Sequence, residues 1–166
     1  MKINLRNLKL RNRESEVFRI HQKGQDSLLG GNGARFLQDM EVEIEIENTG
    51  RLLVGKGWVH TLVRLPCSRC LKDVDYPIDA PLNLSMVEDV QSDKFNDDDI
   101  IVFSNNEVDI GPQVEEAVFL ALPLNPLCSE DCRGLCIRCG ADQNAGPCSC
   151  SDQEIDPRWE KLKNLK

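Results

Sequence analysis

Aromatic residues are scarce in this 166-residue chain: Phe, Trp and Tyr together make up 5% of it. A core must therefore come from aliphatic side chains, and a hydrophobic content of 40% is enough to build one, which excludes wholesale disorder. No apolar run approaches the roughly 20 residues needed to cross a bilayer. The N-terminus, MKINLRNLKLRNRESEVF, lacks the apolar stretch of a secretory signal. These two absences predict a soluble, cytoplasmic protein with no membrane partner. Histidine is nearly absent too, with only His21 and His60, far apart in sequence. No nucleophile with a neighbouring base is visible. Gly30-Gly31-Asn32-Gly33 lacks the lysine and following hydroxyl of a phosphate-binding loop. The chain therefore reads as a non-enzymatic protein.

Positive charge is also short, and unevenly spread. The whole chain carries 20 Lys and Arg against 28 Asp and Glu, a formal net charge of −8. Residues 1–40 carry +4, residues 41–127 carry −11 and residues 128–166 carry −1. An acidic middle repels phosphate, which excludes nucleic-acid binding over the whole surface. Only the basic N-terminal arm and Arg69, Arg133, Arg138 and Arg158 are suited to face RNA. A solvated surface explains the same charges without any partner.

What the chain has in abundance is cysteine. Eight residues fall in two short stretches, Cys67 and Cys70 at mid-chain, then Cys128, Cys132, Cys136, Cys139, Cys148 and Cys150. Thiols two to four residues apart can converge on one centre, and a tetrahedral zinc ion takes four. Disulfides are the competing reading and belong to secreted chains. Cys136-Ile137-Arg138-Cys139-Gly140 has the form of a zinc knuckle, in which two thiolates flank a tight turn closed by glycine. Cys148-Ser149-Cys150 can supply the other pair, and Cys128 and Cys132 can replace either of those last ligands. Three readings stay open for Cys67-Ser68-Arg69-Cys70. It is half of a second site completed by Cys128 and Cys132, a redox dithiol, or a cysteine-bound turn presenting Arg69 for recognition. Eight thiols make two sets of four, so the cofactor expected is one zinc ion or two.

Strand patterns dominate the first half. Ile3, Leu5, Leu8 and Leu10 predict an extended piece over 1–10, and Val17, Phe18 and Ile20 a second. Glycine and polar residues over 24–33 predict a loop. Glu41-Val42-Glu43-Ile44-Glu45-Ile46-Glu47 alternates strictly, which predicts a half-buried strand with Val42, Ile44 and Ile46 inward. Residues 52–54 and 58–65 read as strand interrupted by a bulge or bend at Gly55-Lys56-Gly57. Residues 74–86 read as strand, with Pro77 and Pro81 arguing for an edge. Residues 88–99 form an acidic loop without the spacing of a calcium site. Ile110, Val114, Ala117, Val118 and Ala121 share one helical face, with Asp109 as N-cap and Pro123 as terminator. Asp156-Pro157 opens a last short helix with Trp159, Leu162 and Leu165 as its stripe. The expected fold is α+β, an antiparallel β-rich sheet or small barrel over 1–127 with one packed helix. Residues 128–166 form a cysteine-rich, zinc-stapled tail.

The segments LPCSRCLKDV, LPLNPLC, CRGLCIRCGADQN, CSC and DPRWEKLKNLK, in that order, resemble the YceD-like bacterial proteins, the large ribosomal RNA subunit accumulation protein family. The resemblance covers nearly the whole chain and looks like a cysteine-rich branch, since other members keep the central C-x-x-C while lacking most C-terminal cysteines. That pattern favours a structural staple over catalysis. It implies accumulation or processing of large-subunit ribosomal RNA, and so large-subunit assembly, through contact with that RNA or with a ribosomal or processing protein. Only Cys67, Arg69 and Cys70 carry over as motif positions. A dithiol oxidoreductase using Cys67 and Cys70 is the competing function. A zinc-stabilised protein-interaction module unrelated to RNA is a third.

Overall fold

The structure is a computed structural model that describes residues 1–31, 33–89 and 100–150. From the N-terminus these form β1 (Lys2–Asn4), α1 (Arg6–Lys9), β2 (Ser15–Gln22), a single 3-10 turn (Asp26–Leu29) and β3 (Arg35–Phe36). There follow β4 (Met40–Asn48), β5 (Leu53–Pro66), β6 (Asp73–Glu88), β7 (Ile100–Phe103), β8 (Glu107–Asp109) and α2 (Gly111–Ala121). The main sheet runs β2-β4-β5-β6-β7, with β3 beside β5, while β1 and β8 form a separate two-stranded ribbon. The fold is α+β and its sheets are open. All neighbouring strands are antiparallel except β6 and β7, which run parallel. Among the described residues no helix is long and apolar enough to cross a membrane.

Alternation in β4 does what its chemistry dictates. Val42, Ile44 and Ile46 are buried while Glu41, Glu43, Glu45 and Glu47 face solvent. Each of those aliphatic side chains contributes about 1.5–3 kcal/mol by leaving water. They meet Val59, Val63, Ile78, Ala80, Leu82, Leu84 and Met86 in one core, which Val114 and Val118 of α2 close from the other side. The helix begins after Ile110 rather than on an aspartate cap: Asp109 ends β8 and accepts the Gly111 N–H at 2.9 Å. It ends at Leu122, whose ψ of 137° is the extended backbone that a following proline enforces.

Two further expectations need correction. The N-terminal segment is extended only to Asn4, and Leu5 and Leu8, three apart, are both buried by the turn of α1. No bulge interrupts β5, whose register with β6 runs unbroken from Leu53↔Met86 to Pro66↔Asp73. Its glycines are there for closeness instead. A Cβ on Gly57 would stand 2.1 Å from the Glu43 carbonyl oxygen, and one on Gly55 would stand 2.8 Å from the Ile44 Cδ1. The expected antiparallel β-rich sheet is there, with β7 alone joining its neighbour β6 in parallel. Among the described residues β7 pairs only with Ser85 to Glu88, and no other strand covers that side of β6. Pro77 and Pro81, with no N–H to offer a neighbour, fall in the stretch that no described strand covers. The expected terminal helix around Trp159 and nearly all of the acidic loop lie outside the described residues.

Candidate metal centres

The β5–β6 hairpin ends in a six-residue turn, residues 67–72, and both mid-chain cysteines lie in it. The Cys67 N–H donates to the Lys72 carbonyl at 2.8 Å, and the Leu71 N–H to the Cys67 carbonyl at 2.9 Å. Leu71 adopts φ 61°, the left-handed conformation that lets the turn close. The Arg69 N–H then points at the Cys67 sulfur, at 3.5 Å. Both thiols are buried, Cys67 completely.

After α2 the chain returns to this tip under tight control. The Tyr76 hydroxyl accepts the Leu127 N–H at 2.7 Å and donates to the Leu127 carbonyl at 2.8 Å. The Ser68 N–H donates to Pro126 at 2.8 Å. Cys128 and Cys132 follow directly. Their sulfurs lie 3.5 Å from Cys70 and 3.8 Å from Cys67 respectively, and all four sulfurs lie within 4.8 Å of one another. The edge of a sulfur tetrahedron with metal bonds of about 2.3 Å is about 3.8 Å. Val74, Leu127 and Leu135 pack around Cys67, Cys70 and Cys132. Arg69 is a staple here: its Nη1 donates to the carbonyls of Cys132 at 2.8 Å and Glu130 at 3.3 Å.

A second group repeats the turn. The Cys136 N–H donates to Ala141 and the Gly140 N–H to Cys136, both at 2.8 Å, with Gly140 at φ 73°. Gly140 thus occupies the position Leu71 fills in the first turn. The sulfurs of Cys136, Cys139, Cys148 and Cys150 also lie within 4.8 Å of one another, in a more exposed setting. All eight cysteines are free. The groups are joined: Leu135 bridges to Asp142, the Leu135 N–H donates to the Arg69 carbonyl at 3.2 Å, and Lys72 pairs with Asp142 at 2.7 Å.

The thiols of each group are not equivalent. Burial raises the Cys67 pKa, but the amides of Cys70, Arg69 and Cys128 outweigh it and bring Cys67 down to about 6. The Lys72 amide acts to lower Cys70, yet burial and the sulfurs of Cys128, Cys67 and Cys132 push it up to about 12. In the second group the amides of Cys139 and Arg138 draw Cys136 down to about 6, while the Cys139 sulfur and burial push Cys150 up to about 12. Anionic sulfur crowded by neutral thiols that resist ionisation is what a divalent cation relieves, since it permits all four to be thiolates. Four soft donors, tetrahedral spacing and N–H donors to sulfur fit zinc at both groups.

The structure thus brings Cys67 and Cys70 to Cys128 and Cys132, and leaves Cys136 and Cys139 with Cys148 and Cys150. Residues that sequence reasoning passed over complete the geometry. The Asn144 side chain donates to the Cys132 sulfur at 3.5 Å, and Tyr76, Lys72 and Asp142 hold the segments together. Only Asn144 had a local signal, the D-x-N spacing of an Asx turn, whose Asp142 accepts the Asn144 N–H at 2.9 Å.

Residues 55–166 match the protein family described as Large ribosomal RNA subunit accumulation protein YceD. An uncharacterized protein of Mycobacterium tuberculosis is 31% identical over 131 residues, 78% of this chain and 62% of that protein. The uncharacterized protein YlbN of Bacillus subtilis is 31% identical over 102 residues, 61% of this chain and 59% of the relative. The chloroplastic Large ribosomal RNA subunit accumulation protein YCED homolog 1 of Arabidopsis thaliana is 25% identical over 155 residues, 76% of this chain and 48% of that protein. The chain therefore spans less than two thirds of the length of these relatives. No solved structure matches it. The family match takes in β5 from Gly55 onward, the hairpin turn and both cysteine groups, and by it this chain belongs to the YceD family of large ribosomal RNA subunit accumulation proteins.

Proposed function

We propose that the chain is a non-enzymatic accessory factor that promotes accumulation or processing of large-subunit ribosomal RNA, and with it large-subunit assembly in the cytoplasm. The observation that carries this reading is the family match over residues 55–166. The name of the Arabidopsis relative points the same way. The eight cysteines are proposed as the ligands of two structural zinc ions, one held by Cys67, Cys70, Cys128 and Cys132, the other by Cys136, Cys139, Cys148 and Cys150. Zinc in such sites supplies folding free energy and no chemistry, because four protein ligands leave no open position. It lets residues 128–166 act as a tail stapled to the hairpin of a β-rich unit. The absence of any solvent-open thiol at the first turn supports this over thiol–disulfide exchange, since Cys67 is fully buried and the turn caps a hairpin, not a helix N-terminus.

Depletion of the protein tests the role. Mature large-subunit ribosomal RNA is expected to fall relative to small-subunit RNA, and the chain bearing Cys67→Ser and Cys70→Ser to fail to restore it. An unchanged ratio on depletion contradicts the role. Retained complementation together with lost thiol exchange separates off the oxidoreductase reading.

A further inference from the structure

The outer face of the main sheet is left uncovered by the described residues. Strand register sets its side chains in rows: Val17, Glu45 and Lys56 in one, then Arg19, Glu43, Trp58 and Pro81 in the next. Along β4 the carboxylates of Glu41, Glu43, Glu45 and Glu47 recur at alternate positions, about every 6.7 Å. Trp58 and Val17 are each 51% exposed and line a shallow cleft together with Glu43, Glu45, Lys56 and His60. Arg19 holds Glu43 at 2.8 Å, but Glu45 has only the Ser15 hydroxyl, at 2.6 Å. Among the described residues neither Glu45 nor Glu47 is in a salt bridge, although Lys56 stands opposite Glu45 in register, and no cation stands over the Trp58 ring.

An exposed indole on a face where the four β4 glutamates outnumber Arg19 and Lys56 suits a guanidinium or ammonium, which the ring face attracts and the carboxylates pair. The same carboxylate ladder repels phosphate. An extended polypeptide repeats its same-side side chains every ~6.7 Å, so cations at alternate positions meet successive glutamates of β4. We infer that this face docks an extended arginine- and lysine-rich segment of a partner protein, with one cation on Trp58 and others between Glu43, Glu45 and Glu47. This deepens the partner side of the proposed role, and rests on that role only for its biological setting. Peptide binding is read on the isolated chain and ribosomal RNA levels are read in cells, so the two fail separately.

The test is fluorescence anisotropy of a fluorescein-labelled peptide with arginine or lysine at alternate positions, titrated with the full chain. A peptide of the same length with glutamine in place of each cation, and a labelled single-stranded RNA, are the comparison probes. The cationic peptide is expected to bind, and the neutral one not. Trp58→Ala, and Glu45→Lys combined with Glu47→Lys, each weaken binding about tenfold or more. Unchanged melting temperatures show that these exposed substitutions leave the fold intact, and Glu116→Lys on α2 leaves binding unchanged. Equal loss from Glu116→Lys, or full binding by Trp58→Ala, marks bulk attraction of a polycation and overturns the inference. RNA binding that depends on Trp58, with none for the cationic peptide, overturns it as well.

Discussion

The Asn144 amide, in the loop of the second cysteine group, donates to the Cys132 sulfur of the first group at 3.5 Å. Its Oδ1 also accepts the Arg133 N–H at 2.8 Å, so one side chain fixes both the sulfur and the backbone beside it. Burial raises the Cys132 pKa, but Asn144 and the Gly134 amide outweigh it and draw Cys132 below the ordinary thiol range. Second-layer donors of this kind typically change metal affinity about 10–100-fold.

Asn144→Ala is therefore expected to release zinc from the first group at least about tenfold more readily, by competition with a chromophoric chelator. Asn144→Asp, which puts a carboxylate where the N–H donor stood, is expected to be worse than alanine. Affinity equal to the parent chain in both variants would remove Asn144 from the account.

The pair Lys72–Asp142 gives a pH dependence. Lys72, with the Asn144 amide, holds the Asp142 carboxyl below its ordinary range. A carboxylate depressed in the folded state stabilises it above the unfolded pKa of about 3.9, and that contribution fades as pH falls through the lower folded value. Asp142→Asn is thus expected to lower the melting temperature at neutral pH. The gap to the parent chain narrows as pH drops below about 4. A gap that stays constant over that range contradicts the pairing.

Backbone geometry yields a third expectation. Gly57→Ala drives a methyl group to 2.1 Å from the Glu43 carbonyl, where β4 has no room to yield. Overpacking of this kind costs about 1–3 kcal/mol, seen as a lower midpoint in urea. At the knuckles the signs oppose each other. Gly140→Ala forces alanine into a left-handed conformation and destabilises by ~1 kcal/mol, whereas Leu71→Gly relieves the same strain and is neutral or stabilising.

The two groups are also expected to differ in lability. Cys67, Cys70 and Cys132 sit among Val74, Leu127 and Leu135, while Cys139 is exposed and Cys148 and Cys150 are half-buried. A chelator should empty the second group first, leaving a one-zinc intermediate with an intact sheet. Cobalt substitution followed by stopped-flow absorbance resolves the two phases, and a single phase of doubled amplitude would refute the difference.

Much of this architecture was legible in the residues. The alternation of Val42, Ile44 and Ile46 specified a half-buried strand because each register slip would bury glutamate. The spacing of Val114 and Val118 specified the packed face of α2. What escaped detection depended on distant partners. Leu5 and Leu8 fit a strand or a turn of helix, and only the cover they give the core decides it. Gly55 and Gly57 looked like a bend because closeness to Ile44 and Glu43 cannot be seen from one strand. The partners of Cys67 and Cys70 stayed open among several readings, since local spacing says which thiols can share a turn and not which turns meet. Tyr76, which brings Leu127 to the hairpin tip, has no sequence signature at all.

The most direct test of the two-centre account is native mass spectrometry of the full chain, purified under reducing conditions without added metal, before and after chelation. The account predicts two zinc ions per chain, lost with the order of the tail. A metal-free chain whose mass is short by two hydrogens for each disulfide would contradict it and make thiol redox chemistry the leading reading.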